Sequence, residues 1–324
     1  ALFFAAISGS GTATVAAMGS ILIPAMVAQG YDAGFSSALS AISGSLGTVI
    51  PPSITFIIYG MITGESIGDL FLSGIVPGLI FGFMLCIMVF IKSKKNGWKG
   101  DTQRASLKEI GRLFLDTIWG LLSPVIVLGG IYSGLFTPTE AAAVAVVYSL
   151  IVGIFIYKEL RLTELKETLF STAKTTGMIL LIIMNAGIFS WVLTQQGIAA
   201  SLTEMALALT DNRYIMLFII NIVFLCAGCV MDNTSALYIL VPIIMPIAKA
   251  LDINMIQLGV ILVLNLSIGQ VTPPVGPNLY VAADIGKVKF EEICRRMVPL
   301  LLMSLLALLC ITYIPALSLC LIPS

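Results

Sequence analysis

Histidine is absent from the 324 residues, and charged side chains make up only 10% of them, against roughly 25% in a typical soluble domain. The first absence excludes imidazole proton relays and histidine metal sites; the second points to a solvent other than water. Cysteine is sparse as well. Cys86, Cys226, Cys229, Cys294, Cys310 and Cys320 lie in apolar runs or at their edges. Cys226 and Cys229 have the spacing of a redox or metal pair, but with no second pair and no histidine they read as small buried thiols. Seventeen basic residues balance seventeen acidic ones, so no nucleic-acid partner is expected. A nucleophile with an adjoining base is also lacking, which argues against an enzyme.

Apolar residues are abundant, at 58% of the chain. The runs 70–91, 113–136, 141–157, 175–193, 214–230 and 297–317 approach the roughly 20 residues that cross a bilayer core. An all-α integral membrane protein follows. The opening Ala1-Leu2-Phe3-Phe4 has no initiator Met and no basic stretch ahead of it, so it reads as the inside of a helix and not as a signal peptide. Trp98, Trp119 and Trp191 fall near span ends, where indole rings anchor to the interface.

The sequence repeats on itself at an offset of 222 residues without gaps. Thr12 meets Thr234, Pro24 meets Pro246, and Gly47, Pro51 and Pro52 meet Gly269, Pro273 and Pro274. The register still holds at Gly64 with Gly286 and Pro77 with Pro299. Prolines are costly in helices, so four of them recurring in one register is a structural repeat and not shared composition.

Fifteen of the 17 basic residues lie in the segments 92–112, 158–174 and 287–296, which the positive-inside rule places in the cytoplasm. The link after Pro52 holds only acids, Glu65 and Asp69, whereas its counterpart holds Lys287, Lys289, Arg295 and Arg296 against Glu291 and Glu292. Matching links of opposite charge imply two inverted repeats. Tracing the chain across the bilayer gives a re-entrant hairpin ending near Gly30, a broken helix over 35–63, and a return over 70–91. The second half supplies spans over 113–136, 138–157 and 175–195, a hairpin from 213–231 and 235–250, a broken helix over 255–286, and a final span over 297–317.

The expected organisation is a transport half over 1–69, a connecting helix and basic loop over 70–112, scaffold helices over 113–212, the second transport half over 213–296, and a terminal helix over 297–324. Inverted repeats with paired broken helices are the sequence pointer to a transporter site at the bilayer midplane.

The polar residues gather where those elements break. Ser8-Gly9-Ser10-Gly11-Thr12 tips the first hairpin, and Asp232-Asn233-Thr234-Ser235 tips the second. Irregular backbone at membrane depth needs such groups to satisfy it. Each Pro-Pro removes two amide donors, freeing upstream carbonyls that suit Na⁺, and the half-helix beyond it aims a positive dipole end at a carboxylate. Candidate solute-binding positions are Ser8, Ser10, Thr12, Ser53, Asp232, Asn233, Thr234 and Pro274. Asp232 is the one ionisable group among them; cation binding and capping of the helix starting at Asn233 both remain open. In Thr137-Pro138-Thr139-Glu140, Thr139 is the expected helix cap with Glu140 in the first turn.

Phe3 to Ala13, Gly47 to Ser53, Gly134 to Ala141, Met231-Asp232 and Val271 to Gly276 together resemble the large membrane (M) subunit of the tripartite ATP-independent periplasmic (TRAP) transporters, over the whole chain. The resemblance implies an elevator-type transporter of the bacterial inner membrane that couples uptake of an organic acid to Na⁺. The acid would be a C4-dicarboxylate, a sialic acid or a similar carboxylate. The implied partners are a small membrane (Q) subunit, a periplasmic substrate-binding (P) protein and the surrounding lipid. Carried over by position, Ser10, Gly11, Thr12, Gly47, Ile50 and Pro52 would frame one Na⁺ site, and Asn233, Thr234, Gly269, Thr272 and Pro274 the second. The family's scaffold helices ahead of the first hairpin have no counterpart here, so the chain is expected to be N-terminally incomplete. A standalone Na⁺–dicarboxylate symporter of the same architecture is the alternative.

Overall fold

The computed structural model describes residues 1–98 and 106–322. Helices are the only regular elements among them. In order they are α1 (Leu2–Ser8), α2 (Gly11–Ala28), α3 (Ala33–Ser45), α4 (Ile54–Thr63), α5 (Ile67–Asn96), α6 (Leu107–Tyr132), α7 (Pro138–Ile151), α8 (Leu162–Gln195), α9 (Ile198–Leu209), α10 (Arg213–Gly228), α11 (Asn233–Ala250), α12 (Met255–Gly269), α13 (Pro277–Gly286), α14 (Phe290–Tyr313) and α15 (Ala316–Leu319). A 3₁₀ turn over Leu46–Thr48 extends α3, and a π-helical stretch over Val152–Ile156 extends α7. Among the described residues seven stretches are long and apolar enough to cross a membrane: Gly11–Ala28, Ile67–Asn96, Lys108–Tyr132, Pro138–Ile156, Thr163–Leu193, Asn233–Ala250 and Phe290–Tyr313.

The chain forms two compact units. One comprises Ala1–Thr102 with Gly197–Ser324, the other Gln103–Gln196. In the smaller unit α6 packs on α7, and Tyr148 Oη donates to the Trp119 carbonyl at 2.6 Å. The cap of α7 lies two residues earlier than expected. Thr137, not Thr139, is the N-cap: its hydroxyl accepts from the Glu140 amide, and the Glu140 carboxylate accepts from the Thr137 amide at 2.8 Å. Pro138 explains the shift, since a proline at the first helical position loses no bond and sets Glu140 at the third, where a capping box requires it.

In the larger unit, helix bounds recur at the offset seen in the sequence. Gly11–Ala28 maps onto Asn233–Ala250, and α3 and α12 begin at Ala33 and Met255. Their N-caps, Asp32 and Asn254, correspond as well. Packing crosses between the halves. The second half's α13 lies on α2 and α3, while the first half's α4 lies on α11 and α12; likewise α14 packs on α3 and α5 on α12.

Two helices form the centre. The helix α12 is apolar but for Gln257, Asn265 and Ser267 and is buried at every position from Gln257 to Gly269, as a helix without a continuous polar face must be. The helix α3 is made of small residues, and buried Gly34, Ser36, Ser37, Ala38, Ser40 and Ala41 let its neighbours approach closely. Trp98, just beyond α5, rests its ring 5.1 Å from both Tyr31 and Phe35.

The cysteines depart from expectation. Cys86, Cys226 and Cys320 are exposed and Cys229, Cys294 and Cys310 half-buried, all as free thiols. Exposed apolar side chains stand near two of them, Phe83 near Cys86 and Ile222 and Val223 near Cys226, and a face suited to lipid reads in sequence like one suited to a core.

Candidate functional site

The tip of the first hairpin is made by Gly9, which ends α1 in the left-handed conformation at φ 62°, and by Ser10, which starts α2 in extended backbone. The Ser10 carbonyl gathers the tip around itself. It accepts from the Thr14 hydroxyl at 2.7 Å, the Thr14 amide at 3.1 Å and the Ser8 hydroxyl at 3.3 Å. Ser10 Oγ lies 3.4 Å from Thr12 Oγ1. In the second tip Asp232 is the N-cap of α11: one carboxylate oxygen accepts from the Ser235 amide at 3.1 Å and the other from its hydroxyl at 2.6 Å. Capping by Asp232 is therefore real. Beside it Asn233 is 7% exposed, and neither end of its amide has a partner among the described residues. A buried amide with both ends open is a costly arrangement unless a ligand completes it.

Both breaks carry Pro-Pro pairs, Pro51-Pro52 and Pro273-Pro274, joined by cis peptide bonds. The helical i to i−4 pattern shows which carbonyls they orphan: Gly47 and Thr48 in the first break, Gly269 and Gln270 in the second. Thr48 O is taken by Ser53 Oγ at 2.5 Å, Gly269 O by the Thr272 amide at 2.9 Å, and Gln270 O by the Asn278 amide at 3.2 Å. Gly47 O is left, with no hydrogen-bond donor among the described residues. It is a hard oxygen of the kind a Na⁺ ion takes.

The matched glycines seat the tips. A methyl group built on Gly47 would lie 2.7 Å from both Ser10 O and Thr14 Oγ1; one on Gly269 would lie 2.5 Å from the Gly228 backbone. At Gly9 the same construction meets Pro52 O at 2.9 Å. The Val275 amide donates to the Cys229 carbonyl at 3.2 Å, tying the second break to its own tip.

The structure thus brings Ser8, Ser10, Gly11, Gly47 and Pro52 together around the first tip. Ser53 is buried behind its break, and Ile50 turns its side chain onto Gly78 of α5. In the second half Gly269 meets the tip, but no hydrogen bond joins Asn233 or Thr234 to Thr272 or Pro274 among the described residues. Thr272 Oγ1 instead donates to the Ile268 carbonyl at 2.7 Å.

Four polar residues central to this arrangement were missed from the sequence. Thr48 hydrogen-bonds Ser267 across the two halves, and Gln270 with Asn278 bridges the second break. Thr48 and Gln270 stand at matched positions between a glycine and a Pro-Pro, so the repeat register was a signal for both. Behind them a buried network ties α10 to α12 and α14: Asn265 Nδ2 donates to Asn221 Oδ1 at 2.6 Å, Asn221 Nδ2 to Thr312 Oγ1 at 3.1 Å, and Gln257 Nε2 to Thr312 O at 3.0 Å. Interhelical polar pairs of this kind hold membrane helices together.

Residues 1–317 match the family model described as the tripartite ATP-independent periplasmic transporter, DctM component. The chain is 43% identical over 315 residues to the isethionate TRAP transporter permease protein DctMQ of Oleidesulfovibrio alaskensis, covering 97% of this chain and 50% of that protein. It is 43% identical over 320 residues to the C4-dicarboxylate TRAP transporter large permease protein DctM of Pseudomonas aeruginosa, covering 99% and 75%. With the sialic acid TRAP transporter large permease protein SiaM of Vibrio cholerae it shares 36% over 318 residues, covering 98% and 74%. The chain thus spans half of the first relative and about three quarters of the other two. With its match along nearly its whole length, its relatives and the seven apolar spans among its described residues, the chain belongs to the DctM family of TRAP transporter large permeases, multi-pass transporter subunits of the bacterial inner membrane and not enzymes.

Proposed function

We propose that the larger unit holds a solute and Na⁺ site built from two inverted repeats, and that it carries out Na⁺-coupled uptake of an organic acid by an elevator movement. The observation that carries this reading is the matched pair Gly47 and Gly269, each accepting the backbone of its own hairpin tip directly ahead of a Pro-Pro break. The unpartnered oxygens nearby, Gly47 O and the amide oxygen of Asn233, are of the hard kind that cations favour and support this reading. The first ion is held by the group around Ser10, Gly11, Thr12, Gly47, Ile50 and Pro52. The second lies among Asn233, Thr234, Gly269, Thr272 and Pro274. The solute sits among Ser8, Ser10, Thr12, Ser53, Asp232, Asn233, Thr234 and Pro274. Its carboxylate is held by helix amino ends and small hydroxyls, since no arginine lies among these residues.

The names of the relatives support a small organic anion such as a C4-dicarboxylate or a sialic acid, delivered by a periplasmic binding protein. A small membrane subunit is the second partner. The relative named DctMQ, of which this chain covers only half, supports that pairing.

The test is uptake by the full-length permease reconstituted in liposomes with its small subunit and binding protein, screening carboxylates with and without Na⁺. Uptake should require both Na⁺ and the binding protein. Thr12→Ala and Thr234→Ala should each raise the half-saturating Na⁺ concentration by about three- to tenfold while leaving the protein folded. Unchanged Na⁺ activation in both variants would refute the assignment of the two ion sites.

A further inference from the structure

The second break is bridged by side chains as well as backbone. Gln270 ends α12 and Asn278 lies in the first turn of α13. Asn278 Nδ2 donates to Gln270 Oε1 at 3.3 Å, alongside the bond from the Asn278 amide to the Gln270 carbonyl. This pair also touches the opposite half. A methyl group built on Gly11, the first residue of α2, would lie 2.5 Å from Gln270 Oε1 and 3.2 Å from Asn278 Nδ2. The first tip therefore rests on the second break with no space between them. The first break has nothing comparable, because Thr48 is bonded to Ser267 and Phe56, at the position matching Asn278, is a buried ring.

Asn278 is fully buried, and its Oδ1 has no partner among the described residues. Turning Asn278 over alone would set two amide oxygens against each other, and turning both amides over only exchanges which atom of Asn278 is open. A buried polar atom left open is not what a purely structural bond provides, since a static core pays for each one without return. It suits a pair that exchanges partners when the first tip shifts.

We propose that Gln270 and Asn278 form a positioning clasp that couples the first hairpin tip to the second break, so that ion binding in one half sets the geometry of the other. The inference rests on the Na⁺-coupled reading above. Gly11 is the contact, Gln270 the moving part and Asn278 the anchor. A side chain at residue 11 meets the flexible end of Gln270 first and Asn278 Nδ2 next, so it is accommodated by displacing Oε1 from the position in which it accepts from Asn278.

The experiment measures the Na⁺ activation of uptake in the reconstituted full-length permease with its partners. Gly11→Ala and Gln270→Ala should each raise the half-saturating Na⁺ concentration about three- to tenfold and lower the Hill coefficient, and the double variant should be no worse than the stronger single one. Gln270→Met, which fills the volume without the amide, should behave like Gln270→Ala. Effects that multiply in the double variant, or normal Na⁺ activation in Gln270→Met, would overturn the clasp while leaving Na⁺ coupling intact. Wild-type uptake indifferent to Na⁺ would overturn both readings together. The two Gln270 variants only remove or replace atoms, so they answer the question even if Gly11→Ala fails to fold.

Discussion

In the first break Ser53 turns back to occupy the Thr48 carbonyl and also caps α4 by accepting from the Phe56 amide at 3.3 Å. In the second, Val275 stands at the matching position and offers only its backbone, donating to Cys229 of the hairpin tip. One break closes on itself and leaves Gly47 O open; the other closes on its tip and on an amide pair, leaving Asn278 Oδ1 open. The same prolines at the same register therefore do not dictate the same site. They dictate which carbonyls lose their amides, and the neighbouring side chains decide which of those stay available.

The comparison is broken most severely at the seated glycines. At Gly269 an added side chain meets backbone, that of Gly228, which cannot swing aside. At Gly47 one of the two nearest atoms is the Thr14 hydroxyl, which can rotate. Gly269→Val should abolish uptake, by about a hundredfold or more, as expected when a misplaced element prevents a site from assembling. Gly47→Ala should be milder, and milder still when combined with Thr14→Ala. Equal loss at the two glycines, measured by uptake at matched membrane expression, would show that the tips are seated alike.

A smaller effect separates the two closures. Ser53 is fully buried, and Ser53→Ala removes the one donor to Thr48 O among the described residues, so it should cost about 1–3 kcal/mol of stability. Val275→Ala leaves the backbone bond to Cys229 intact at a side chain 42% exposed, and should cost no more than about 0.5 kcal/mol. Thermal unfolding of the purified variants in detergent distinguishes them. A large loss at Val275 would mean that its side chain, and not its amide, closes the second break.

Much of this arrangement was legible because proline and glycine act locally. Pro51-Pro52 and Pro273-Pro274 fixed where the helices stop, and the polar clusters at Ser8–Thr12 and Asp232–Ser235 fixed where the hairpins turn. What could not be read was which apolar face meets protein and which does not, as Cys86 and Cys226 show. Nor was it readable which distant hydroxyls and amides meet. Thr48 finds Ser267 and Asn221 finds Thr312 through packing of whole helices, and no local pattern announces either pairing. The error at Thr137 was different in kind: the Thr-Pro-x-Glu pattern was there, and a capping box read from it would have placed the helix start correctly.

The smallest expected effect sharpens the contrast between the tips themselves. Ser10 and Asp232 occupy matched N-cap positions, but the Ser10 side chain makes no cap bond, whereas both Asp232 carboxylate oxygens are engaged by Ser235. Asp232→Ala should therefore destabilise the protein by about 1 kcal/mol, the ordinary cost of a lost cap, and Asp232→Asn should restore most of it. Ser10→Ala should change stability by no more than about 0.5 kcal/mol, because the Ser10 carbonyl and not its hydroxyl organises the first tip. Unfolding midpoints for the three variants test this directly. If Ser10→Ala proved as costly as Asp232→Ala, the hydroxyl would have to be holding the first tip through its contact with Thr12, and the two tips would be built alike after all.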